Sequence, residues 1–120
     1  MKGIAVLAIT GLLLLAACSG PKVPREKVDE FTKCITDKGA VMYGAFWCPH
    51  CARTKKHFGS SFQYVNYVEC DPRGDNEQSE LCIEKSIDKY DTWEFADGSR
   101  IIAEPTFQQL SEKTGCPVPG

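Results

Sequence analysis

Two cysteines separated by two residues, Cys48 and Cys51, are the side chains in this chain most suited to chemistry. They follow an apolar run that ends at Phe46, and Pro49 then opens a segment of helical character. Proline is favoured in the first helical turn, where its missing N–H is no loss. We therefore expect Cys48 at a helix N-terminus, where unpaired N–H groups and the helix dipole stabilise a thiolate.

His50 lies between the two cysteines and adds a positive charge when it is protonated. Such surroundings lower the pKa of a cysteine from about 8.5 to roughly 3.5–7.5. The pattern predicts that Cys48 is the exposed attacking sulfur and that Cys51, one turn into the helix, is the resolving sulfur. The redox group is then the Cys48–Cys51 disulfide itself, and we expect no other cofactor and no metal.

The elements that must position these residues can be predicted from apolar spacing and turn residues. Helices and strands alternate in the order α-β-α-β-α-β-β-α, which predicts an α/β fold. The predicted helices cover residues 24–38, 49–58, 77–89 and 105–114, and the predicted strands cover 40–46, 62–69, 92–95 and 100–103.

Several short motifs occur in a fixed order around the cysteine pair. They are Tyr43-Gly44-Ala45-Phe46-Trp47-Cys48-Pro49-His50-Cys51, Tyr67-Val68-Glu69-Cys70-Asp71, Cys82 and Tyr90-x-Thr92-Trp93-Glu94. This set resembles the thioredoxin-fold disulfide oxidoreductases, in particular the thioredoxin-like domain fused to bacterial vitamin K epoxide reductase homologues. The resemblance covers about residues 26–115 and implies a compact thioredoxin-like domain over 25–120. Its central mixed four-stranded sheet would carry helices on both faces.

The resemblance also implies roles for residues outside the cysteine pair. Catalysis would use Cys48, Pro49, His50 and Cys51, and Trp47, Tyr90, Asp91 and Thr92 would contact the substrate. Asp91 departs from the pattern, because related domains have a cis-proline at this position. A cis bond without proline costs about 2.5–4 kcal/mol, so we expect a trans or strained Tyr90–Asp91 bond. A carboxylate facing Cys48 would also weaken the oxidant.

Two features of related proteins, a buried acidic proton acceptor and a cis-proline, have no obvious counterpart in this sequence. Many thioredoxins have a buried aspartate six residues before the first cysteine, where this chain has Met42. Glu69 could replace it, although a solvated carboxylate at a strand end is the simpler expectation. Glu104-Pro105-Thr106 is not expected to supply the missing cis-proline, because a proline there suits the start of a helix.

Five of the seven cysteines lie outside the redox pair. The resemblance places a structural disulfide between Cys70 and Cys82. A zinc site formed by these two with Cys48 and Cys51 is disfavoured, because eleven residues separate the second pair. Cys34 and Cys116 could form a further disulfide, or each could be free, with Cys34 packed in the core.

The first residues are typical of a secretory signal. A positive start and an apolar run precede Leu15-Ala16-Ala17-Cys18, which resembles a bacterial lipobox. We expect a signal peptide over 1–17, lipid on Cys18 and a tether over 18–24. An ordinary signal peptide with an incidental Cys18 is the alternative. Ser19 would favour the outer membrane in a Gram-negative host, so the predicted location is the periplasmic side of a membrane.

These features predict a lipid-anchored, monomeric thiol–disulfide oxidoreductase that acts on cysteine-containing secreted proteins and leans toward oxidation. A vitamin K epoxide reductase-like membrane oxidase could reoxidise it. Loss of Lys2 with the signal peptide changes the formal net charge from −2 to −3, which argues against a nucleic-acid partner. The alternative function is a non-catalytic binding or metal-capturing module, because Asp91 replaces the cis-proline.

Overall fold

The computed structural model describes residue 3 and residues 22–120. Cys18 and, apart from Gly3, the predicted signal peptide lie outside the described residues, as does part of the predicted tether. Within the described part of the chain, no helix is both long enough and apolar enough to cross a membrane.

A four-stranded mixed sheet forms the centre of a thioredoxin-like α/β fold. Its strands are β1 (Val41–Gly44), β2 (Tyr67–Glu69), β3 (Thr92–Glu94) and β4 (Arg100–Ile102), in the spatial order β2-β1-β3-β4. Strand β1 pairs in parallel with β2 and antiparallel with β3, and β4 pairs antiparallel with β3. The fold predicted from the sequence is thus confirmed.

Within residues 22–120, four α-helices pack around the sheet: α1 (Arg25–Asp37), α2 (Pro49–Phe58), α3 (Ser79–Glu84) and α4 (Phe107–Thr114). Successive side chains of a strand point to opposite faces, so Met42 and Tyr43 lie on different sides of β1. Met42 belongs to the larger core cluster, which contains residues of α1, α2 and α4. Tyr43 belongs to a smaller cluster with Cys82 of α3. Helices therefore cover both faces, as predicted.

The larger core is built on aromatic rings. Trp93 of β3 and Phe58 of α2 are fully buried, and their rings stack with centroids 5.8 Å apart. Phe107 of α4 contacts the rings of both Phe58 and Phe31. These contacts hold the C-terminal end of α2 against the sheet and so orient the helix whose other end carries the two cysteines.

Most elements are one to three residues shorter than predicted, and two, β2 and α3, are much shorter. Strand β2 covers only the end of the predicted 62–69 run, because Gly59–Tyr64 forms a 3-10 helix. Buried Ser61 donates to Asp29 and accepts from Arg25, so this segment packs on α1 and not in the sheet. Helix α3 ends at Glu84 and not at residue 89, and Ser86 has a left-handed φ of 55°.

Candidate redox site

Strand β1 leads directly into helix α2, and the two free cysteines among the described residues lie at that junction. Cys48 is the N-cap of α2 with extended backbone, and Pro49 occupies the first helical position. The Cys48 carbonyl accepts the first helical hydrogen bond, from the Ala52 amide at 3.0 Å. Pro49 thus has the position that the sequence predicted for it, and Cys48 lies where a helix N-terminus favours a thiolate.

The attacking sulfur is less accessible than the sequence suggested. Cys48 was expected to be exposed, but it is only 6 % exposed. The reason is that the segment before β3 crosses the start of α2, and the Cys48 thiol lies 3.8 Å from the Tyr90 carbonyl oxygen. Phe46 and Trp47, by contrast, are 54 % and 53 % exposed. Cys48 is therefore almost covered, while the two aromatic side chains just before it are exposed.

Cys51 lies deeper, packed against β1. A Cβ atom at Gly44 would be 2.7 Å from the Cys51 sulfur, so only glycine fits beneath it. Burial raises the pKa of Cys51 to about 12, with smaller contributions from the neighbouring Cys48 and Asp91. A hydrogen bond with the Ala45 backbone partly offsets this by lowering the pKa of Cys51. Cys51 therefore keeps its proton while Cys48 is the sulfur nearer to solvent, which matches the roles of resolving and attacking sulfur.

Asp91 has a different environment from the one expected. The Tyr90–Asp91 peptide bond is cis, so of the two alternatives expected, a trans or a strained bond, the trans bond is wrong. The carboxylate is fully buried and does not project from the surface beside Cys48. Its Oδ2 accepts from the Thr54 hydroxyl at 2.8 Å and from Trp93 Nε1 at 3.0 Å, and its Oδ1 accepts from the Glu104 amide at 3.1 Å. These three donors hold the side chain between α2, β3 and the loop before α4.

His50 is part of a charged cluster on the surface of α2. Its Nδ1 lies 2.7 Å from Glu104 Oε2, and Arg53 Nε donates to Glu104 Oε1 at 2.7 Å. Arg53 also donates from a terminal nitrogen to Glu104 Oε2 at 3.0 Å. Hydrogen bonds from Arg53 and then His50 lower the pKa of Glu104 to about 2. The Glu104 carboxylate thus faces the Arg53 guanidinium and the His50 imidazole on α2.

Trp47, a predicted substrate contact, is fixed by the loop after β2. Its Nε1 donates to Asp71 Oδ2 at 2.6 Å, and its ring meets the Tyr90 ring edge-on at 6.1 Å. Hydrogen bonds from Arg73 are the largest cause of a lowered pKa at Asp71. The Arg73 guanidinium also lies over the Phe46 ring, 5.9 Å from its centroid. The aromatic surface next to Cys48 is therefore held in one orientation.

Thr92 is placed differently from Trp47 and Tyr90. Tyr90 lies at the site, with its carbonyl toward Cys48. Thr92, also predicted to contact substrate, is 1 % exposed, and its hydroxyl donates to the Lys89 carbonyl at 2.6 Å. The structure thus brings Tyr90 to the cysteine pair but turns the Thr92 side chain inward.

The remaining described cysteines form two disulfides. Cys70 is bonded to Cys82, and Cys34 is bonded to Cys116. The first bond closes the loop that carries Asp71 and Arg73, and the second joins α1 to the C-terminal segment. No cluster of three or more potential metal ligands occurs among residues 22–120.

Glu69 is buried, contrary to the expectation of a solvated strand end. It is 5 % exposed, because the loop after β2 folds back over it. Its two oxygens accept from the Tyr67 hydroxyl at 3.2 Å and from the Asp71 amide at 3.1 Å. A Cβ atom at Gly74 would be 2.4 Å from the Glu69 side chain, which explains the glycine in that loop.

Sequence reasoning missed two residues of the charged cluster. Arg53 is not among the residues predicted to act at the site, and Glu104 entered the prediction only as part of Glu104-Pro105-Thr106. The spacing of His50 and Arg53 was a usable signal, because residues three apart lie on the same side of a helix. Nothing local predicted Glu104, since its contacts reach α2 from 51 and 54 residues away along the chain.

Comparison with known proteins agrees with this geometry. The chain is 37 % identical over 87 residues to thiol-disulfide oxidoreductase LTO1 of Arabidopsis thaliana, and the match covers 69 % of the chain. It is therefore related to part of a thiol–disulfide oxidoreductase. The matched region spans only 23 % of the length of that relative. No family model matches the chain.

Proposed function

We propose that this protein is a thiol–disulfide oxidoreductase whose reacting groups are the sulfurs of Cys48 and Cys51. The main support is the position of these two residues. Cys48 is the N-cap of α2, Cys51 lies one turn later, and their thiols interact. The other described cysteines are bonded to one another. Similarity to part of a plant enzyme of this activity supports the same conclusion.

In the oxidising direction, a substrate thiolate attacks the Cys48 sulfur of the Cys48–Cys51 disulfide. The bond between Cys48 and Cys51 breaks, and Cys51 leaves and takes up a proton. The second thiolate of the substrate then attacks the substrate sulfur that is bonded to Cys48. The substrate disulfide forms, the mixed disulfide breaks, and Cys48 is released as a thiolate. Two electrons pass from the substrate to the protein. The high pKa of Cys51 means that this sulfur carries a proton once the disulfide has been reduced.

The proposal extends to location and partners. A lipid on Cys18 would tether the domain on the periplasmic side of a membrane, where disulfides persist. Its substrates would be cysteine-containing secreted proteins, and a vitamin K epoxide reductase-like membrane oxidase would reoxidise it. Support for this part comes from the sequence alone, in the lipobox-like Leu15-Ala16-Ala17-Cys18 and in the ordered motifs around Cys48.

The alternative of a non-catalytic or metal-capturing module depended on Asp91 disturbing the site. The contacts of Asp91 weaken that argument, because its carboxylate oxygens are occupied by Thr54, Trp93 and the Glu104 amide. The Tyr90 carbonyl remains the backbone group that faces Cys48. We therefore favour the enzyme.

The test is insulin reduction by the purified protein together with trapping of mixed disulfides. We expect Cys48→Ser to abolish turnover and trapping, because it removes the attacking sulfur. Cys51→Ser should abolish turnover but accumulate a mixed disulfide through Cys48, and so serves as the matched variant. Turnover that survives Cys48→Ser would refute the assignment. A reduction potential nearer −120 mV than −270 mV would support the oxidising direction.

A further inference from the structure

The loop between β4 and α4 has an unusual backbone at the point where it reaches the redox helix. Ala103 and Glu104 both have left-handed conformations, with φ of 59° and 50°. Residues other than glycine rarely adopt this region, and they do so where surrounding contacts hold them. Asp91 provides those contacts, because its carbonyl accepts from the Ala103 amide at 2.7 Å and its carboxylate accepts from the Glu104 amide.

The consequence of this backbone is the position of the Glu104 side chain. It reaches across to α2 and contacts His50 and Arg53 with both carboxylate oxygens, at 2.7 Å in each case. An Arg53 terminal nitrogen also lies 3.1 Å from His50 Nδ1, so the three side chains form one cluster on α2. His50 is two residues from Cys48, and the negative charge of a Cys48 thiolate acts on the Arg53 guanidinium. Glu104 therefore adds a negative charge next to Arg53 and His50.

We propose that Glu104 is a positioning residue of the redox site, which holds His50 and Arg53 beside Cys48 and offsets their positive charge. This inference rests on the proposed function. Positive charge near Cys48 stabilises its thiolate, which stabilises the reduced form and makes the disulfide a stronger oxidant. Glu104 has the opposite effect and makes the couple a weaker oxidant than Cys-Pro-His-Cys alone would be.

The experiment measures the equilibrium of the purified protein with glutathione. Two glutathione thiols are oxidised to one glutathione disulfide while the Cys48–Cys51 bond is broken and takes up two electrons and two protons. Glu104→Gln keeps the size of the side chain and removes its charge. We expect it to shift this equilibrium toward the dithiol by about three- to tenfold, and a tenfold change corresponds to 29.6 mV.

A matched control is Glu94→Gln. Glu94 is also held by two cations, Lys85 and Arg100, but it lies on β3 and its side chain contacts neither His50 nor Arg53. We expect no shift in its redox equilibrium. A shift of similar size in Glu94→Gln would show a general effect of net charge and would overturn the proposal.

Two further variants separate charge from structure. Arg53→Met removes a cation, so we expect it to shift the equilibrium toward the disulfide, and the double variant with Glu104→Gln should return close to wild type. In a His50→Ala background Glu104→Gln should still favour the dithiol, because Arg53 remains. The proposal is overturned if Glu104→Gln has no effect in either background, or if both charge variants shift the equilibrium in the same direction.

Failure of the proposed function would look different. In that case the wild-type Cys48–Cys51 pair would not exchange with glutathione at all. If the wild-type pair exchanges normally and only the Glu104 effect is absent, the proposed function stands and the role of Glu104 is refuted.

Discussion

The buried carboxylate of Asp91 makes a strong prediction about stability. Asp91→Ala would remove the acceptor of three donors, of which the Thr54 hydroxyl can rotate toward another partner. Trp93 Nε1 and the Glu104 amide have no such freedom, because an indole ring and a backbone are fixed by their surroundings. Trp93 is fully buried, and a buried donor left without a partner costs about 1–3 kcal/mol. The Glu104 amide belongs to an exposed residue, so its loss of a partner costs less. We expect the free energy of unfolding to fall by about 2–4 kcal/mol.

The measurement is urea unfolding followed by circular dichroism, with both disulfides intact. For a domain of this size, each kcal/mol corresponds to about 4–8 °C in Tm, so thermal unfolding should show the same loss. Asp91→Asn should cost less than Asp91→Ala, because its amide oxygen can still accept from Trp93 while its NH2 group faces the Glu104 amide.

The matched control is Asp97→Ala. Asp97 also accepts two hydrogen bonds, from the amide and hydroxyl of Ser99, but it lies exposed in the β3–β4 turn. Asp97→Ala should lower the free energy of unfolding by less than Asp91→Ala or Asp91→Asn, because water can replace the lost carboxylate as acceptor. If Asp91→Ala lowers the free energy of unfolding by less than about 1 kcal/mol, the reasoning about stranded donors is refuted.

Two other predictions concern the packing and the charges of the site. Gly44→Ala should lower the free energy of unfolding by about 1–3 kcal/mol, because its Cβ would meet the Cys51 sulfur at 2.7 Å. Gly120→Ala, which meets nothing within 4 Å, should leave the unfolding curve unchanged, and an equal effect of both would contradict the packing argument. The pKa of Glu104 is lowered from 4.5 to about 2, so its contribution to stability is present above about pH 4.5 and is lost as the pH falls toward 2. Lowering the pH from 4.5 to 2 should therefore reduce the free energy of unfolding more in the wild type than in Glu104→Gln. Identical dependence of this free energy on pH in the two proteins would contradict the prediction.

Several features of the fold could be predicted because short segments specify them. Apolar residues at helical spacing predict α1, and the capping box of Thr106 with Gln109 starts α4. The Asp97-Gly98 turn joins β3 to β4, and Gly98 has the positive φ of 82° that favours glycine. In each case the signal and the structure involve residues only a few positions apart.

Other features could not be predicted because their causes lie in distant parts of the chain. The burial of Cys48 depends on Tyr90, 42 residues away, and the orientation of the Asp91 carboxylate depends on Thr54, 37 residues away. Phe62 and Tyr64 were predicted to lie in a strand, but they belong to a 3-10 helix, and its packing on α1 outweighs their β propensity.

What the sequence determined by itself is the Cys48–Cys51 pair and its place at the start of a helix, because Cys48, Pro49 and Cys51 lie within one helical turn. What only the tertiary structure decided is the electrostatic setting of that pair. Glu104 meets His50 and Arg53 because Asp91 holds the loop before α4 against the start of the helix. A helix start depends on neighbours in sequence, whereas the charge around a sulfur depends on every segment that packs near it.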